Sequence, residues 1–369
     1  MKKILTVVLF IILTLFGTCV YADDAVYSDS DELSSYNADD YLPPEVTDKL
    51  EENGISIESE GLMRTALDTV IAFLRAAFED YSGKIVTLLG IILVVSIVYR
   101  IIDNKPYKQI ISYIITLYIC LQMLSIFSML LTDVSESLDS LADILKAVIP
   151  AFTAVLLLGG NAFSSVSSSA SLGTVLVFLE IILNKVLIPL VVILMLLVVF
   201  EKLSPQFSEI RVVPSVKKFI LSSVSFITTV MLTVISFQNI LASNKDSLSA
   251  RTVKFAASNF IPVVGSAVGE SLKTVGAGMK YLKTTVGGAV AAAILVTVLP
   301  AIARILILKL FLGMLSFACG MIGCTTEKGI FESCVNILDI LNGIIICITV
   351  LSILITVLFV TTGFALGGT

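Results

Sequence analysis

Two apolar runs joined by a short basic turn decide the fold: IVTLLGIILVVSIVYRII at residues 85–102 and IISYIITLYICLQMLSIFSMLL at residues 110–131. The runs are 18 and 22 residues long, close to the ~20 residues that a helix needs to cross a bilayer. Arg100, Lys105 and Lys108 mark the turn. Because short basic loops stay in the cytoplasm, the pattern predicts two membrane spans whose outer ends lie on the opposite side.

The composition extends this prediction to most of the chain. Of the 369 residues, 57% are hydrophobic and 14% are charged, and the mean hydropathy is +1.01. Soluble domains usually carry about 25% charged residues. The chain is therefore predicted to be an all-α, polytopic helical membrane protein.

The N-terminus has the pattern of an export signal. Residues 1–22 combine two lysines, an apolar run and the small-residue ending VYA, which is typical of a cleaved signal peptide. An uncleaved N-terminal anchor is the alternative. In both cases, the segment that follows starts outside the cytoplasm.

Residues 23–61 form an acidic segment with 13 acidic residues and one basic residue, so the formal net charge is −12. Large aliphatic side chains are too few there to bury a core. The segment is predicted to be a disordered extracytoplasmic tether; attraction of a basic partner is the alternative. Residues 62–84 follow with apolar positions at three- and four-residue steps, which predicts an amphipathic helix that runs straight into the first span.

The multi-spanning domain, residues 85–369, is predicted to contain about six to seven spans. Its acidic stretch 132–146 is predicted to be a loop outside the cytoplasm. Residues 147–160 contain Pro150 and precede a serine-rich stretch, so they fit either a full span or a re-entrant loop. Residues 172–200 fit one tilted helix or a helix broken near Asn184-Lys185. Further spans are predicted at 219–241, 286–312 and 337–360.

Two basic connections leave the topology open beyond the second span. Residues 201–218 have four basic and two acidic residues, and residues 242–285 have six basic and two acidic residues. A single predicted span separates them, so they should face opposite sides of the membrane. The positive-inside rule then fails at one of them, and the side on which 242–285 lies stays open.

Several enzyme classes are excluded by residue type. The chain has no histidine, which rules out an HExxH zinc site and a serine–histidine protease. Asp339 stands without a second acid in a protease-like context, and no phosphate-binding GxxxxGK[ST] motif is present. Cys319, Cys324 and Cys334 lack the close pairing of thiolate zinc sites. We therefore predict no catalytic residues, no cofactor and no metal.

Charged residues inside apolar runs are the remaining chemical candidates, because they are costly in a bilayer and often functional. Glu180, Lys185 and Arg304 are the intramembrane charged candidates, and a site near them would suit a stand-alone permease for a small solute or ion. Lys309 and Asp339 lie near predicted span ends, where side chains can snorkel to the interface. Pairing of Glu180 or Asp339 with Lys185, Arg304 or Lys309 is the other possibility.

The basic connection 242–285 contains the most distinctive motif. ARTVKF at 250–255 and NFIPVVG at 259–265 form an amphipathic stretch that Pro262 should interrupt. A second amphipathic helix is predicted from about Ser266. Gly265 and Gly269 leave a bare helix face for close packing. The candidate partner-contact residues are Arg251, Lys254, Phe255, Asn259, Phe260, Pro262, Gly265 and Gly269.

This motif resembles the signature region of the stage III sporulation protein AE family. The signal sequence, the acidic exported segment and the polytopic body agree with that family over the whole chain, although only the motif is specific. The resemblance implies a role in endospore formation, in the mother-cell membrane that surrounds the forespore. It implies a channel-forming, secretion-like complex whose partners include ring-forming subunits, a secretion-type ATPase and other membrane proteins, with no nucleic acid. The resemblance supplies no catalytic residues.

Overall fold

The fold is built from long helices. A computed structural model describes residues 48, 62–101, 105–203, 212–260 and 265–361. Apart from residue 48, the predicted signal peptide and acidic segment lie outside these residues. The helices are α1 Leu62–Ile101, α2 Lys105–Leu158, α3 Ala162–Ile181, a π-helical segment Ile182–Leu187, α4 Ile188–Leu203, α5 Val212–Phe260, α6 Gly265–Ile322 and α7 Thr325–Thr361.

Within the described residues, six helical stretches are long and apolar enough to cross a membrane. They are Ile71–Val98, Ile110–Leu158, Ala162–Glu201, Val213–Asp246, Thr284–Ile322 and Thr325–Val360. The predicted all-α polytopic architecture is confirmed. The expected passage of an amphipathic helix directly into the first span also holds, because α1 is continuous from Leu62 to Ile101.

The prediction that residues 132–146 form a loop is wrong, because these residues lie in the middle of α2. Their acidic side chains alternate with apolar ones at helical spacing. Leu138, Leu141 and Leu145 form a fully buried stripe on that helix. The charge content of this stretch suggested a loop, but its three- and four-residue period is that of an amphipathic helix.

Residues 147–160 are the end of α2, with Pro150 inside the helix, rather than a re-entrant loop. The chain reverses at Gly159 and Gly160, and Gly160 has a φ of 78°, which favours glycine. The serine-rich stretch then forms the start of α3. Thr153 and Ser169 hydroxyls lie 2.5 Å apart across the α2–α3 hairpin, so the serines provide polar contacts between helices.

The long apolar stretch 172–200 is one continuous helical rod with a change of winding inside it. The π-helical segment Ile182–Leu187 contains Asn184 and Lys185, where a break was one of the two predictions. Helices α3 and α4 flank the segment without a loop. The rod therefore counts as a single span.

Successive spans alternate in direction. Phe163 and Ser167 of α3 contact Asp246 and Asn239 of α5, respectively, so these two helices are antiparallel. Lys217 and Leu221 of α5 contact Asp339 and Gly343 of α7, respectively. Because the residue numbers increase together along both helices, α5 and α7 are parallel. Helices α6 and α7 reverse at Gly323, which has a φ of 87°.

The core lies where α2, α6 and α7 meet. Phe152 of α2 stacks on Phe359 of α7 with ring centroids 3.6 Å apart and planes 3° apart. Gly287 of α6 lies against Val360 of α7, where a Cβ would collide with the valine. Helix α5 packs at the edge, since only 11% of its apolar window is buried.

This arrangement separates the two basic connections. Residues 219–241 in the middle of α5 separate residues 201–218 from residues 242–285 along the chain. The end of α4 and the start of α5 are at the same end of the bundle as the end of α1 and the start of α2. The end of α5 and the start of α6 are at the same end as the start of α1. With the basic turn in the cytoplasm, residues 242–285 are predicted to be extracytoplasmic.

Cysteine labelling tests this topology. Ser208→Cys and Val264→Cys place single thiols in the connections before and after α5. In intact cells, a membrane-impermeant maleimide should label Val264→Cys and should label Ser208→Cys only after permeabilisation. The unsubstituted protein is the background control. Labelling of both thiols from one side would contradict the arrangement of six alternating spans.

Candidate functional site

Two clusters of charged side chains lie on different sides of α6. Arg304 lies in one cluster and Lys309 in the other. Five residues separate them along α6, which is a rise of about 7.5 Å and a rotation of about 140°. The two clusters therefore lie at similar depth within the apolar bundle and face different neighbours.

Arg304 forms the first cluster with an aspartate from each of two other helices. Its Nε atom is 3.7 Å from Asp80 Oδ2 of α1 and 3.5 Å from Asp133 Oδ2 of α2. Asp133 is the most buried of the three, with 17% of its side chain exposed, against 29% for Arg304 and 38% for Asp80. The cluster joins α1, α2 and α6.

Asp339 of α7 forms the second cluster. Lys309 of α6 donates to one of its carboxylate oxygens and Lys217 of α5 donates to the other. Lys217 also donates to Asn336 Oδ1 at 3.0 Å. All three charged side chains are at least 77% buried. This cluster joins α5, α6 and α7, so the carboxylate links three spans.

The two clusters have opposite formal charge. One arginine faces two aspartates in the first cluster, and one aspartate faces two lysines in the second. Each alone carries an unbalanced unit charge, −1 and +1, whereas together they are neutral. Ionisable side chains within membrane helices usually pair with one another or mark a functional pathway. The clusters are the candidate functional site.

The structure does not bring the three predicted intramembrane charges together. Glu180 is half-exposed and lies 4.0 Å from Lys146. Lys185 is exposed in the π-helical segment. Arg304 instead pairs with Asp80 and Asp133. The predicted permease site near Glu180, Lys185 and Arg304 is therefore not formed by ion pairs among these residues.

The interpretation of Lys309 and Asp339 as snorkelling side chains is wrong. Asp339 pairs with Lys309, which was one of its predicted partners, and also with Lys217, which was not. Neither Lys217 nor Asp133 was predicted to lie in a charged cluster. Lys217 is in a basic connection, and Asp133 is in the stretch that was predicted to be a loop. The Lys217–Asp339 and Asp133–Arg304 contacts both join residues that are far apart in the chain.

The family motif lies at the junction of α5 and α6. Arg251, Lys254, Phe255, Asn259 and Phe260 are on the last turns of α5, which ends at Phe260. Gly265 begins α6, and Gly269 lies in its first turns. The helix boundaries agree with the predicted interruption, and Pro262 lies outside the described residues. The side chains of the motif lie outside the described part of the chain.

A buried carboxylate nearby escaped the sequence analysis. Asp246 of α5 is 3% exposed. It accepts hydrogen bonds from the backbone N–H groups of Phe163 at 2.9 Å and Ser164 at 2.7 Å, at the start of α3. A negative charge at a helix N-terminus is stabilising because the first N–H groups have no partner within the helix. In the sequence, Asp246 is distinguished only as an acidic residue next to the apolar run that precedes the basic connection 242–285.

Comparisons with known proteins agree with the motif. The stage III sporulation protein AE family matches residues 43–365. Stage III sporulation protein AE of Bacillus subtilis (strain 168) is 23% identical over 214 residues, which are 56% of this chain and 53% of that protein. The match thus spans about half the length of this relative. No solved structure matches the chain.

The family match covers most of the multi-spanning domain and includes the ARTVKF and NFIPVVG segments. It agrees with a polytopic helical protein that has six candidate spans. A role in sporulation and a multi-pass membrane location follow from these findings. The chain belongs to the stage III sporulation protein AE family.

Proposed function

We propose that this protein is a non-enzymatic membrane component of a secretion-like channel complex that links the mother cell and the forespore. The family match over residues 43–365 is the observation that carries the proposal. In this function, the protein lies in the mother-cell membrane that surrounds the forespore. It supports endospore development after engulfment.

The lengths of the helices fit a protein that contacts partners beyond the bilayer. Helices α2 and α6 have 54 and 58 residues. At 1.5 Å per residue they are about 81 and 87 Å long, whereas the hydrocarbon core is about 30 Å thick. Even strongly tilted, such helices extend past the membrane. The α5–α6 junction with the family motif is the extension that we assign to partner contact.

The partners in this proposal are other membrane proteins of the same operon, ring-forming subunits and a secretion-type ATPase. With residues 242–285 outside the cytoplasm, the motif would face the ring-forming subunits between the two membranes. An ATPase would meet the opposite end of the bundle, where α4 ends and α5 begins. The proposal therefore assigns different partners to the two ends of the bundle.

Deletion of the gene tests the sporulation role. The deletion strain should grow normally but fail to make heat-resistant spores, with engulfment completed and late forespore gene expression lost. Spore counts, membrane staining and a late forespore reporter measure these three outcomes. A wild-type copy at a second locus is the control and should restore spores.

Normal spores from the deletion strain would defeat the proposal. A block before engulfment would also contradict it, because a channel between the two compartments acts only once the forespore is surrounded. Co-purification of ring-forming subunits with the tagged protein tests the complex separately. Loss of that co-purification on exchange of residues 250–265 would assign the contact to the motif.

A further inference from the structure

We propose that the Asp80–Asp133–Arg304 cluster, together with Tyr81, is an exchangeable proton-binding site inside the helical bundle. The proposal is independent of the sporulation role. It assigns a ligand, the proton, to residues that the family motif does not include. Two kinds of observation carry it: unsatisfied buried polar atoms and an unbalanced charge.

Tyr81 has a buried polar group that interacts with the cluster. Its side chain is 0% exposed, and its hydroxyl makes no hydrogen bond to any residue that the structure describes. The hydroxyl is within electrostatic range of Asp133, Arg304 and Asp80. Buried hydroxyl groups are nearly always hydrogen-bonded, so this one indicates that the cluster accommodates a further donor or acceptor.

Asp133 has a buried acceptor atom that is also unsatisfied. Its Oδ2 atom is buried and accepts no hydrogen bond within the described part of the chain, although Arg304 Nε lies 3.5 Å away. An ionised carboxylate normally accepts several hydrogen bonds. A buried oxygen with none is much better suited to the neutral acid, which has a proton of its own.

The charges around Asp133 also favour a proton. Asp80 and Lys84 face it from α1, Glu136 from its own helix α2, and Arg304 from α6. Lys84 donates to the Met129 sulfur at 3.4 Å, a weak acceptor. With Asp133 included, three carboxylates face two cations. An uncompensated charge inside an apolar bundle is costly, and one proton removes it.

The binding step moves only a proton. A hydronium ion gives its proton to Asp133 Oδ2, a lone pair of that oxygen forms the new O–H bond, and water is released. Nothing is oxidised or reduced. The neutral Asp133 no longer competes for Arg304, which keeps Asp80 as its ionic partner. Release of the proton restores the shared ion pair, so the contact between α1, α2 and α6 changes with protonation.

Asp133 is the preferred acceptor because of its burial. Asp80 belongs to the same cluster, but 38% of its side chain is exposed, compared with 17% for Asp133. Asp133 thus has less contact with water, and burial disfavours the ionised form of a carboxyl group. Arg304 remains charged in both states, since guanidinium groups do not deprotonate in proteins.

Infrared difference spectroscopy on the full-length protein in lipid nanodiscs tests the site. A film perfused alternately with neutral and acidic buffer should show a protonated-carboxyl C=O band that appears at acidic pH, shifts in D₂O and lies at higher frequency than the absorption of the exposed carboxyl groups, because its oxygen accepts few hydrogen bonds. Asp133→Asn should abolish this high-frequency band. Asp143→Asn should leave it unchanged, because Asp143 is an exposed member of an ion pair with Lys146 on the same helix.

Tyr81→Phe provides a second variant, which is useful if Asp133→Asn does not fold. Removal of the hydroxyl should shift the C=O band, since the hydroxyl group interacts electrostatically with Asp133. A band that persists in Asp133→Asn, or one that Tyr81→Phe leaves unshifted, would overturn the proposal. Absence of any titrating band would do the same. The readout does not depend on spores, so a failed deletion phenotype and a failed proton site are distinguishable.

Discussion

Asp339→Ala should lower the free energy of unfolding by about 3–5 kcal/mol, because it leaves two buried lysines without their anion. Lys217 and Lys309 both donate to this carboxylate. They belong to α5 and α6, whereas Asp339 belongs to α7, so the substitution loosens three spans at once. Detergent-solubilised protein should show a lower midpoint in a thermal unfolding assay followed by size-exclusion chromatography, and less folded protein should accumulate in cells.

Two controls separate the charge effect from a general effect of substitution. Glu332→Ala removes an exposed partner of Lys328 on the same helix, and it should change stability by about 0–1 kcal/mol. The triple variant Lys217→Met, Lys309→Met, Asp339→Leu removes all three charges and should recover most of the loss. Equal stability of Asp339→Ala and Glu332→Ala would show that the cluster does not hold the helices together.

Asp246→Ala is expected to be nearly as disruptive, with a loss of about 2–3 kcal/mol. A hydrogen bond to a charged group contributes about 1.5–3 kcal/mol, and this carboxylate accepts two, from Phe163 and Ser164. The effect should be local, because the N-terminus of α3 loses these two hydrogen bonds to α5. Hydrogen–deuterium exchange should speed up in residues 162–168 before the rest of the bundle responds.

Asp246→Asn is the matched control, since it keeps an acceptor oxygen and removes the charge. It should fall between the wild type and Asp246→Ala in both stability and exchange. Asp139→Ala on α2, at an exposed position, should leave exchange in residues 162–168 unchanged. Faster exchange throughout the bundle in Asp246→Ala would contradict a local role for this carboxylate.

The local sequence pattern was sufficient to predict the first two spans and the interruption between α5 and α6. The apolar runs at 85–102 and 110–131 lie in α1 and α2, and the interruption at Pro262 falls between the end of α5 and the start of α6. Both depend on residues that are close in sequence. Hydropathy, proline geometry and helical period are properties of a single segment.

The charged clusters could not be predicted in the same way. Asp80, Asp133 and Arg304 come from three helices, and their proximity follows from how those helices pack. Residues 132–146 illustrate the difficulty, since their acidic content is typical of a loop, and a loop would place Asp133 outside the bundle. The three- and four-residue spacing of Leu138, Leu141 and Leu145, which are buried in the structure, is instead typical of a helix.

The π-helical segment Ile182–Leu187 has a consequence for the comparison of sequences. A hydrogen bond from residue i to i+5 encloses one residue more than the ordinary i to i+4 bond. The segment therefore holds one residue more than α-helical winding would, and a relative without that residue could wind as a regular α-helix while α3 and α4 keep their faces toward the same neighbours. Elsewhere in the rod, the insertion or loss of one residue would rotate every following side chain by about 100°. One-residue alignment gaps among relatives are thus expected to fall within this segment, and gaps in the flanking helices indicate misalignment.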